Sequence, residues 1–529
     1  MTHILPAQAL SRRWHQEKYA QPTELLRCDT QRRVAHALAQ VEPVARRAAW
    51  AKRFEAAMRN GLLPGGRIMA GAGVQTRATT LMNCFVVPAR DLPTLWPQLR
   101  ATLRAGGGVG MDLSDLPTGV LQAMEGCEAV ACSLERPPPA QRRAAQMVVL
   151  RVDHPEIEAF IKASASAHPH IARAVRINDA QMQALASSAC TFGSHIAQAI
   201  WAGGEPGLLF STRMQSDDNL GDVEVLQATN PCGEQPLPPY GACALASIDL
   251  TRVVQQPFTP RAHIAWGLLS ALVHVGVRAL DNAIELSHWP LPQQSRQMQR
   301  RRRIGLGITG LGDALALLNR HYAAPEARQQ AAQVMRFISH SAYRASVRLA
   351  RWRGAYPDFR AAAVLNRPHF ASRLPPDLQH DIRLHGLRHS HLLAIAPAAS
   401  ISVAFADNVS SGVEPMGAAQ WQRHWRDPDG RPASAWVQAH AYRLWRATRG
   451  MVEDPPQGWA WLSTVSPEHQ LAMVAALAPH VDGAISKTLS VPEHTTPQAI
   501  ESLIRTAWRL GLKGISVFRR GSRPGVLSV

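Results

Sequence analysis

Cysteine is scarce in this chain of 529 residues: seven thiols, at 28, 84, 127, 132, 190, 232 and 243, odd in number and without a CxxC pair. That excludes a secreted disulfide scaffold and a cysteine-built structural zinc site, and predicts a reduced, cytoplasmic setting. Long apolar runs are missing too. Residues 180–204 and 392–406 carry no charge, yet they are too polar or too short to span a bilayer, and the N-terminus lacks the apolar core of a signal peptide, so no membrane partner is expected. Acid is in deficit, with 39 Asp and Glu against 57 Lys and Arg, a net charge of +18 that favours anionic ligands. No helix-turn-helix, RNP or zinc-finger pattern accompanies it, so small anions are expected rather than nucleic acid. A composition of 46% hydrophobic and 18% charged residues excludes disordered and collagen-like chains. The length exceeds one simple core, and no solenoid repeat is present.

What is present centres on residues 230–243. An amide, a thiol and a carboxyl stand at alternate positions, Asn230, Cys232 and Glu234, around Pro231 and Gly233. In extended backbone alternate side chains face one way, so all three would reach into one cavity. Pro231 lends no N–H to a ladder and Gly233 weakens a strand interior, which predicts a tight, backbone-exposing tip. A lone cysteine ordinarily acts as a small buried hydrophobe. Here a carboxyl lies two residues on and a second thiol, Cys243, follows after eleven, neighbours that apolar burial does not select.

Taken in order, residues 32–60 show a helical pattern broken at Pro43 and closed at Asn60-Gly61, so residues 1–75 read as a helical N-terminal region. The glycine-dense stretch 63–73 would let main chain approach a ligand, and residues 81–87 read as a short strand that places Cys84 as a third thiol in the cavity. Residues 106–110 lack the spacing of a phosphate loop and read as a tight strand entry. Residues 136–139 read as a surface bend, 145–152 as a buried strand, and 153–161 as a helix start where Asp153 and His154 cap rather than hold metal. Cys127, Cys132 and Cys190 read as packing residues. Residues 264–286 form an amphipathic helix, and the run Arg300, Arg301, Arg302, Arg303 at a glycine-rich strand mouth reads as a solvated face or a phosphate contact. Residues 392–405 read as a strand, a turn whose N–H groups could nest an anion, and a further strand or helix start. Six tryptophans between Trp421 and Trp461, around turns at 427–430 and 455–456, read as packing within an inserted region, 417–465. Thr496, Pro497 and Gly511 bracket a last helix, followed by a strand.

In this order the segments LMNCFVVP, GGGVGMDLSDLP, VDHPEIEAFI, EPGLLF, NPCGEQPLPPYGAC, RRRIGLGITGLGDAL, LLAIAPAASISVAFADNVSSGVEP, AISKT and GLKGISVFRRGSRPGVL resemble the large catalytic chain of ribonucleotide reductases, most closely the class II, adenosylcobalamin-dependent branch, over residues 30–527. The resemblance implies an α/β fold: a ten-stranded barrel of two antiparallel halves, each of five parallel strands, within residues 76–529, with residues 230–243 on a finger loop at its middle. It implies Cys232 as the thiyl radical that takes the ribose 3′ hydrogen, Glu234 as general base on the 3′-OH, and Asn230 as the holder of the ribose hydroxyls. Cys84 and Cys243 would supply the reducing equivalents and end as a disulfide. Asn83 and Gly107 would line the substrate, and Pro397, Ala398, Ala399, Ser400 and Ile401 would cradle its phosphates. The implied cofactor is adenosylcobalamin and the implied substrate a ribonucleoside diphosphate, reduced for DNA synthesis, with a nucleotide effector and a homodimer as further partners.

Two departures stand out. Ala398-Ala399-Ser400 replaces the family's Thr-Gly-Thr, removing a hydroxyl that would meet the diphosphate, and residues 244–249 replace Asn-Leu-Gly-Ser-Ile-Asn behind the active strand. No CxxC pair follows before Val529, which implies re-reduction by a thioredoxin-like or separate CxxC-bearing protein or a small thiol. Nothing resembles an ATP-cone module. One rival reading is a catalytically silent nucleotide-binding homologue that regulates another reductase, set against the retention of Cys84, Asn230, Cys232, Glu234 and Cys243. The other is a class I chain fed by an external radical, set against Phe518 and the lack of any tyrosine after Tyr442.

Overall fold

The computed structural model describes residues 5–528 apart from 75–78, 135–143, 164–165, 186–191, 427–430, 451–454, 457 and 523–526. The expected bend at 136–139, Cys190 and the turn at 427–430 lie outside the described residues. Strands in chain order are β1 (Leu62–Pro64), β2 (Cys84–Val86), β3 (Gly108–Asp112), β4 (Gln146–Arg151), β5 (Ile171–Ile177), β6 (Gly207–Phe210), β7 (Ala228–Thr229), β8 (Pro236–Leu237), β9 (Ala242–Asp249), β10 (Val254–Gln255), β11 (His263–Ile264), β12 (Ile304–Thr309), β13 (Gln420–Arg426), β14 (Pro432–Gln438), β15 (Thr488–Val491), β16 (Gly514–Arg519) and β17 (Leu527–Ser528).

Their pairing closes a circle. Strands β2 to β6 run parallel to one another, each beside the next. Strand β9 is parallel to β12, and β15 is parallel to β16. Single parallel bridges, Leu306 with Leu393 and Ile395 with Ile485, carry the sheet from β12 through residues 393–395 to the segment leading into β15. The halves meet antiparallel twice, β2 against β9 and β6 against β16. The result is the ten-stranded barrel of two five-stranded halves that the resemblance implies. Its strands read as apolar runs, such as Met147-Val148-Val149-Leu150, because helices cover them outside. Trp266–Leu286 and Pro325–Arg353 are two of these helices, and they pack on each other. Pro497–Arg509 starts where expected: Thr496 accepts the Ala499 N–H at its N-terminus, and Gly511 sits past its end at φ 74°.

Barrels of this size ordinarily fill their interior with side chains. This one makes room for main chain instead. A Cβ at Gly110 of β3 would lie 1.7 Å from the Thr229 carbonyl oxygen, and one at Gly305 of β12 would lie 2.5 Å from Gln235 Nε2. The hairpin β7–β8 therefore threads between the halves, lying against β2, β3 and β4 on one side while the Glu234 carbonyl accepts the Ala484 N–H (2.9 Å) on the other. The stretch at 106–110, read as a strand entry, is also what admits the loop.

The N-terminal helices Ala9–Lys18, Arg27–Ala39 and Arg47–Arg59 share one continuous apolar core with the barrel, and β1 pairs directly with β9. The Trp-rich stretch forms the hairpin β13–β14 and the helix His440–Arg449. Trp421, Trp445 and Trp459 are buried there, whereas Trp436 is 67% exposed.

Candidate active site

Residues 230–233 form a β-turn closed by the Gly233 N–H on the Asn230 carbonyl (3.0 Å), with Pro231 second and Gly233 at φ 82°. The extended geometry that would align Asn230, Cys232 and Glu234 is thus replaced by a turn, as Pro231 and Gly233 demand. Cys232 stands exposed at the apex, while Asn230 and Glu234 are buried on either side. Asn230 holds the loop in shape: its Oδ1 accepts the Gln235 N–H (3.0 Å) and its N–H donates to the Gln235 carbonyl (3.2 Å).

Cys84 on β2 lies directly opposite Cys243 on β9 in the antiparallel ladder. Directly opposed residues stand roughly 4.5–5.5 Å apart at Cα, inside the span of about 4.4–6.8 Å that a disulfide needs. Both thiols are buried in one small apolar cluster with Val149, Leu237, Leu245 and Ala394. The finger loop reaches the pair: Asn230 Nδ2 donates to Cys84 Sγ at 3.1 Å, and Glu234 Oε1 lies 3.9 Å from the same sulfur. Burial holds the Cys243 thiol well above the usual thiol range; Arg303 opposes this, and Glu234 and Asp482 add to it. Cys243 therefore stays protonated at neutral pH, as a hydrogen donor must.

Asn83 precedes β2, and its Oδ1 is buried without a hydrogen bond. Gly107 is buried against the Phe85 ring, and it is Gly108 that faces Pro231 of the loop. At 397–401 the structure has a turn with Ala398 left-handed (φ 54°), followed by the helix Ala399–Phe405. Ser400 Oγ accepts from Tyr19 Oη at 2.8 Å. Tyr19, on the N-terminal region, was invisible to sequence reasoning because nothing local links it to a turn 381 residues away.

A cavity of about 290 Å³ opens against Pro231, Cys232, Gly233 and Pro397. Leu208, Leu209, Ile485 and Ile515 form apolar wall, and Gly207, Gly483 and Gly514 leave main chain bare there.

The four arginines contradict one expectation. Arg300 pairs with Asp358, Arg301 with Glu224 and Asp358, Arg302 with Asp281 and Glu285, and Arg303 with Glu224 and Asp218. Only Arg300, 68% exposed, keeps the solvated face; Arg301, Arg302 and Arg303 turn inward onto carboxylates of neighbouring elements, which neutralise them and leave no phosphate contact. Cys132 is also not a packing residue: it is exposed, with Sγ 3.7 Å from Glu128, which itself bonds the His170 ring and N–H. Cys127 does pack in the core, where burial raises its thiol to about 12. The capping near 154 falls to the ring of His154, which accepts the Glu156 N–H (3.1 Å), while Asp153 pairs outward with Arg151.

A closed barrel with a thiol-tipped loop threaded through it, and two opposed thiols on its wall beside a carboxyl and an amide, defines an oxidoreductase architecture built for cysteine chemistry. The family model described as "Ribonucleotide reductase, barrel domain" matches residues 94–192 and 179–518, and the chain belongs to the ribonucleotide reductase family. It is 31% identical to a vitamin B12-dependent ribonucleoside-diphosphate reductase of Mycobacterium tuberculosis, across 96% of this chain and 78% of that protein. A Thermoplasma acidophilum protein of the same name is 26% identical, across 89% of this chain and 65% of its own length. A vitamin B12-dependent ribonucleotide reductase of Streptomyces coelicolor is 23% identical, across 84% and 56%.

Proposed function

We propose that this chain is an adenosylcobalamin-dependent ribonucleoside-diphosphate reductase, converting ribonucleoside diphosphates to their 2′-deoxy forms for DNA synthesis. The observation that carries this is the Cys84–Cys243 opposition, reached by Asn230 and Glu234 from a loop whose apex is Cys232.

The cavity against Cys232 has a mixed wall, apolar at Leu208, Leu209, Ile485 and Ile515 and polar at Lys487, Thr488 and Lys513, beside an exposed thiol, and so suits the reactive end of a cofactor that carries both apolar and hydrogen-bonding groups. Leu208, Leu209, Ile485 and Ile515 are the residues that would hold adenosylcobalamin there. When bound, that cofactor supplies the one-electron chemistry that turns a thiol into a thiyl.

The remaining roles fall to the protein. Cys232 Sγ takes the 3′ hydrogen of the ribose, and Glu234 accepts the 3′-OH proton. Asn230 orients the hydroxyls with an amide already fixed by the loop. As the 2′-OH departs as water, Cys84 and Cys243 give up two electrons and two protons and close a disulfide across β2 and β9. The turn 397–401 faces the phosphates, with Ser400 oriented by Tyr19 where the family's extra hydroxyl is missing. A nucleotide effector, a homodimer and a thioredoxin-like or CxxC-bearing reductant complete the proposal. Among the described residues no helix is long and apolar enough to cross a membrane, and a cytoplasmic setting is part of the same reading.

The test is incubation with a ribonucleoside diphosphate, adenosylcobalamin and dithiothreitol, with deoxy product measured by chromatography. Product is expected, and Cys232→Ser abolishes it. Absence of product under every cofactor condition points to the silent homologue, and product only with a metal-containing partner protein points to an externally fed radical.

A further inference from the structure

We propose that Arg303 is a positioning residue for the redox half of the cycle: it lets the Cys243 sulfur leave as a thiolate when an external dithiol reopens the Cys84–Cys243 disulfide. The inference rests on the pairing of those two thiols proposed above.

The geometry starts from register. Ile304 opens β12 opposite Ala244 in the parallel ladder, so the position before it, Arg303, falls alongside Cys243. Arg302 ends the helix Pro292–Arg301 in a left-handed conformation (φ 49°), and the two guanidinium groups part there. Arg302 reaches Asp281 and Glu285. Arg303 is 4% exposed; it donates to Glu224, to His391 Nδ1 (3.1 Å) and to the Pro236 carbonyl of the finger-loop hairpin (3.4 Å). Burial alone would lower its pKa, and Glu224 and Asp218 more than offset this, so it remains a guanidinium.

Cys243 is thus surrounded by charges of both signs. Glu234 and Asp482 disfavour a negative sulfur, and Arg303 is the cation that favours one. His391 adds no second positive charge, because burial and the neighbouring Arg303 hold it neutral, at about 3. A buried thiolate without a cation is costly, and exchange is faster the better the departing sulfur carries charge. Of the two residues Cys84 is the one whose sulfur the finger loop touches and the one with any exposure, 2% against 0% for Cys243. An external thiolate therefore attacks Cys84 Sγ and forms a mixed disulfide. The Cys84–Cys243 bond breaks, and its electron pair leaves on Cys243 Sγ, which then takes a proton. The second thiol of the reductant displaces Cys84, so two electrons and two protons pass from dithiol to protein and the reductant ends as a disulfide.

Removing Arg303 alone strands buried Glu224, to which it donates, whereas Asp218 keeps His391 Nε2 (2.7 Å) and the Leu220 N–H (3.1 Å); the informative variants are therefore Arg303→Lys, which keeps a charge, and Arg303→Met combined with Glu224→Gln, which removes the guanidinium together with that carboxylate's charge. Each is oxidised with diamide, the disulfide is mapped by mass spectrometry, and its reopening by dithiothreitol is timed under pseudo-first-order conditions. Alkylation of Cys243 is followed against pH, and melting temperature is recorded for each. We expect Arg303→Lys to stay near the parent rate and the double variant to slow about tenfold, with its Cys243 alkylation profile moved to higher pH. Equal rates in both folded variants overturn the inference. If no Cys84–Cys243 disulfide forms even in the parent protein, the proposed function fails instead, and the two failures stay distinct.

Discussion

At the scale of single residues, the site depends on atoms that are absent as much as on those present. Gly110 is the sharpest case, because any side chain there collides with the Thr229 carbonyl. Gly110→Ala is therefore expected to expel the finger loop or shift β3, costing about 1–3 kcal/mol, as overpacking typically does. The checks are a lower melting temperature and loss of deoxy product. Cys84 and Cys243 make a complementary case. Serine at either position removes one member of the pair, so Cys84→Ser and Cys243→Ser should yield no disulfide after diamide treatment and no reductive turnover. Cys232→Ser should still form that disulfide while making no product. A variant series in which Cys232→Ser also loses the bond would show that the three thiols act as one exchangeable set.

Among elements, legibility divided along contact range. The helix over 266–286 and the capped helix after Thr496 were readable because their signals are local: apolar spacing in one, a hydroxyl N-cap, a leading proline and a trailing glycine in the other. Cys232 and its turn were readable for the same reason. The opposition of Cys84 and Cys243 depends on strand order, which no local pattern encodes, and only family resemblance supplied it. The inward pairing of Arg301, Arg302 and Arg303 is not legible in the run because the neutralising acids, Asp218, Glu224, Asp281 and Asp358, come from other elements. Tyr19 is the clearest miss. The first helix packs against the helix Ala399–Phe405, and Tyr19 caps that contact by bonding Ser400. If the turn 397–401 faces the substrate phosphates, Tyr19→Phe leaves Ser400 free to rotate. The KM for a ribonucleoside diphosphate should then rise severalfold while kcat stays near the parent value. A fall in kcat with KM unchanged would place Tyr19 outside substrate binding.

For the whole molecule, the N-terminal helices, the barrel and the Trp-rich stretch converge on Asp407, two residues past the helix Ala399–Phe405. Asp407 accepts the Gln8 N–H (3.0 Å) from the N-terminal region and pairs with Arg443 and His440 (3.6 Å) of the helix His440–Arg449. Asp407 itself is left-handed (φ 53°), a conformation uncommon for a side chain-bearing residue and better tolerated by aspartate than by most. Burial alone would lower the pKa of His440, but Asp407, Asp313 and Asp249 outweigh it and raise the value above the ordinary 6.5. A raised folded-state pKa means that the stabilisation is fully present below about pH 6.5 and is lost as pH climbs through the folded value. The junction should therefore loosen on the alkaline side. Melting temperature is expected to fall between pH 6.5 and 8.5 as this group loses its proton, and His440→Asn, which cannot titrate there, should flatten that part of the profile. Because the same carboxylate anchors both outer regions beside the helix Ala399–Phe405, the fall should coincide with faster proteolysis near residues 5–8 and 440–449. A flat profile in the parent protein would mean that Arg443 and Gln8 hold Asp407 without help from the imidazolium.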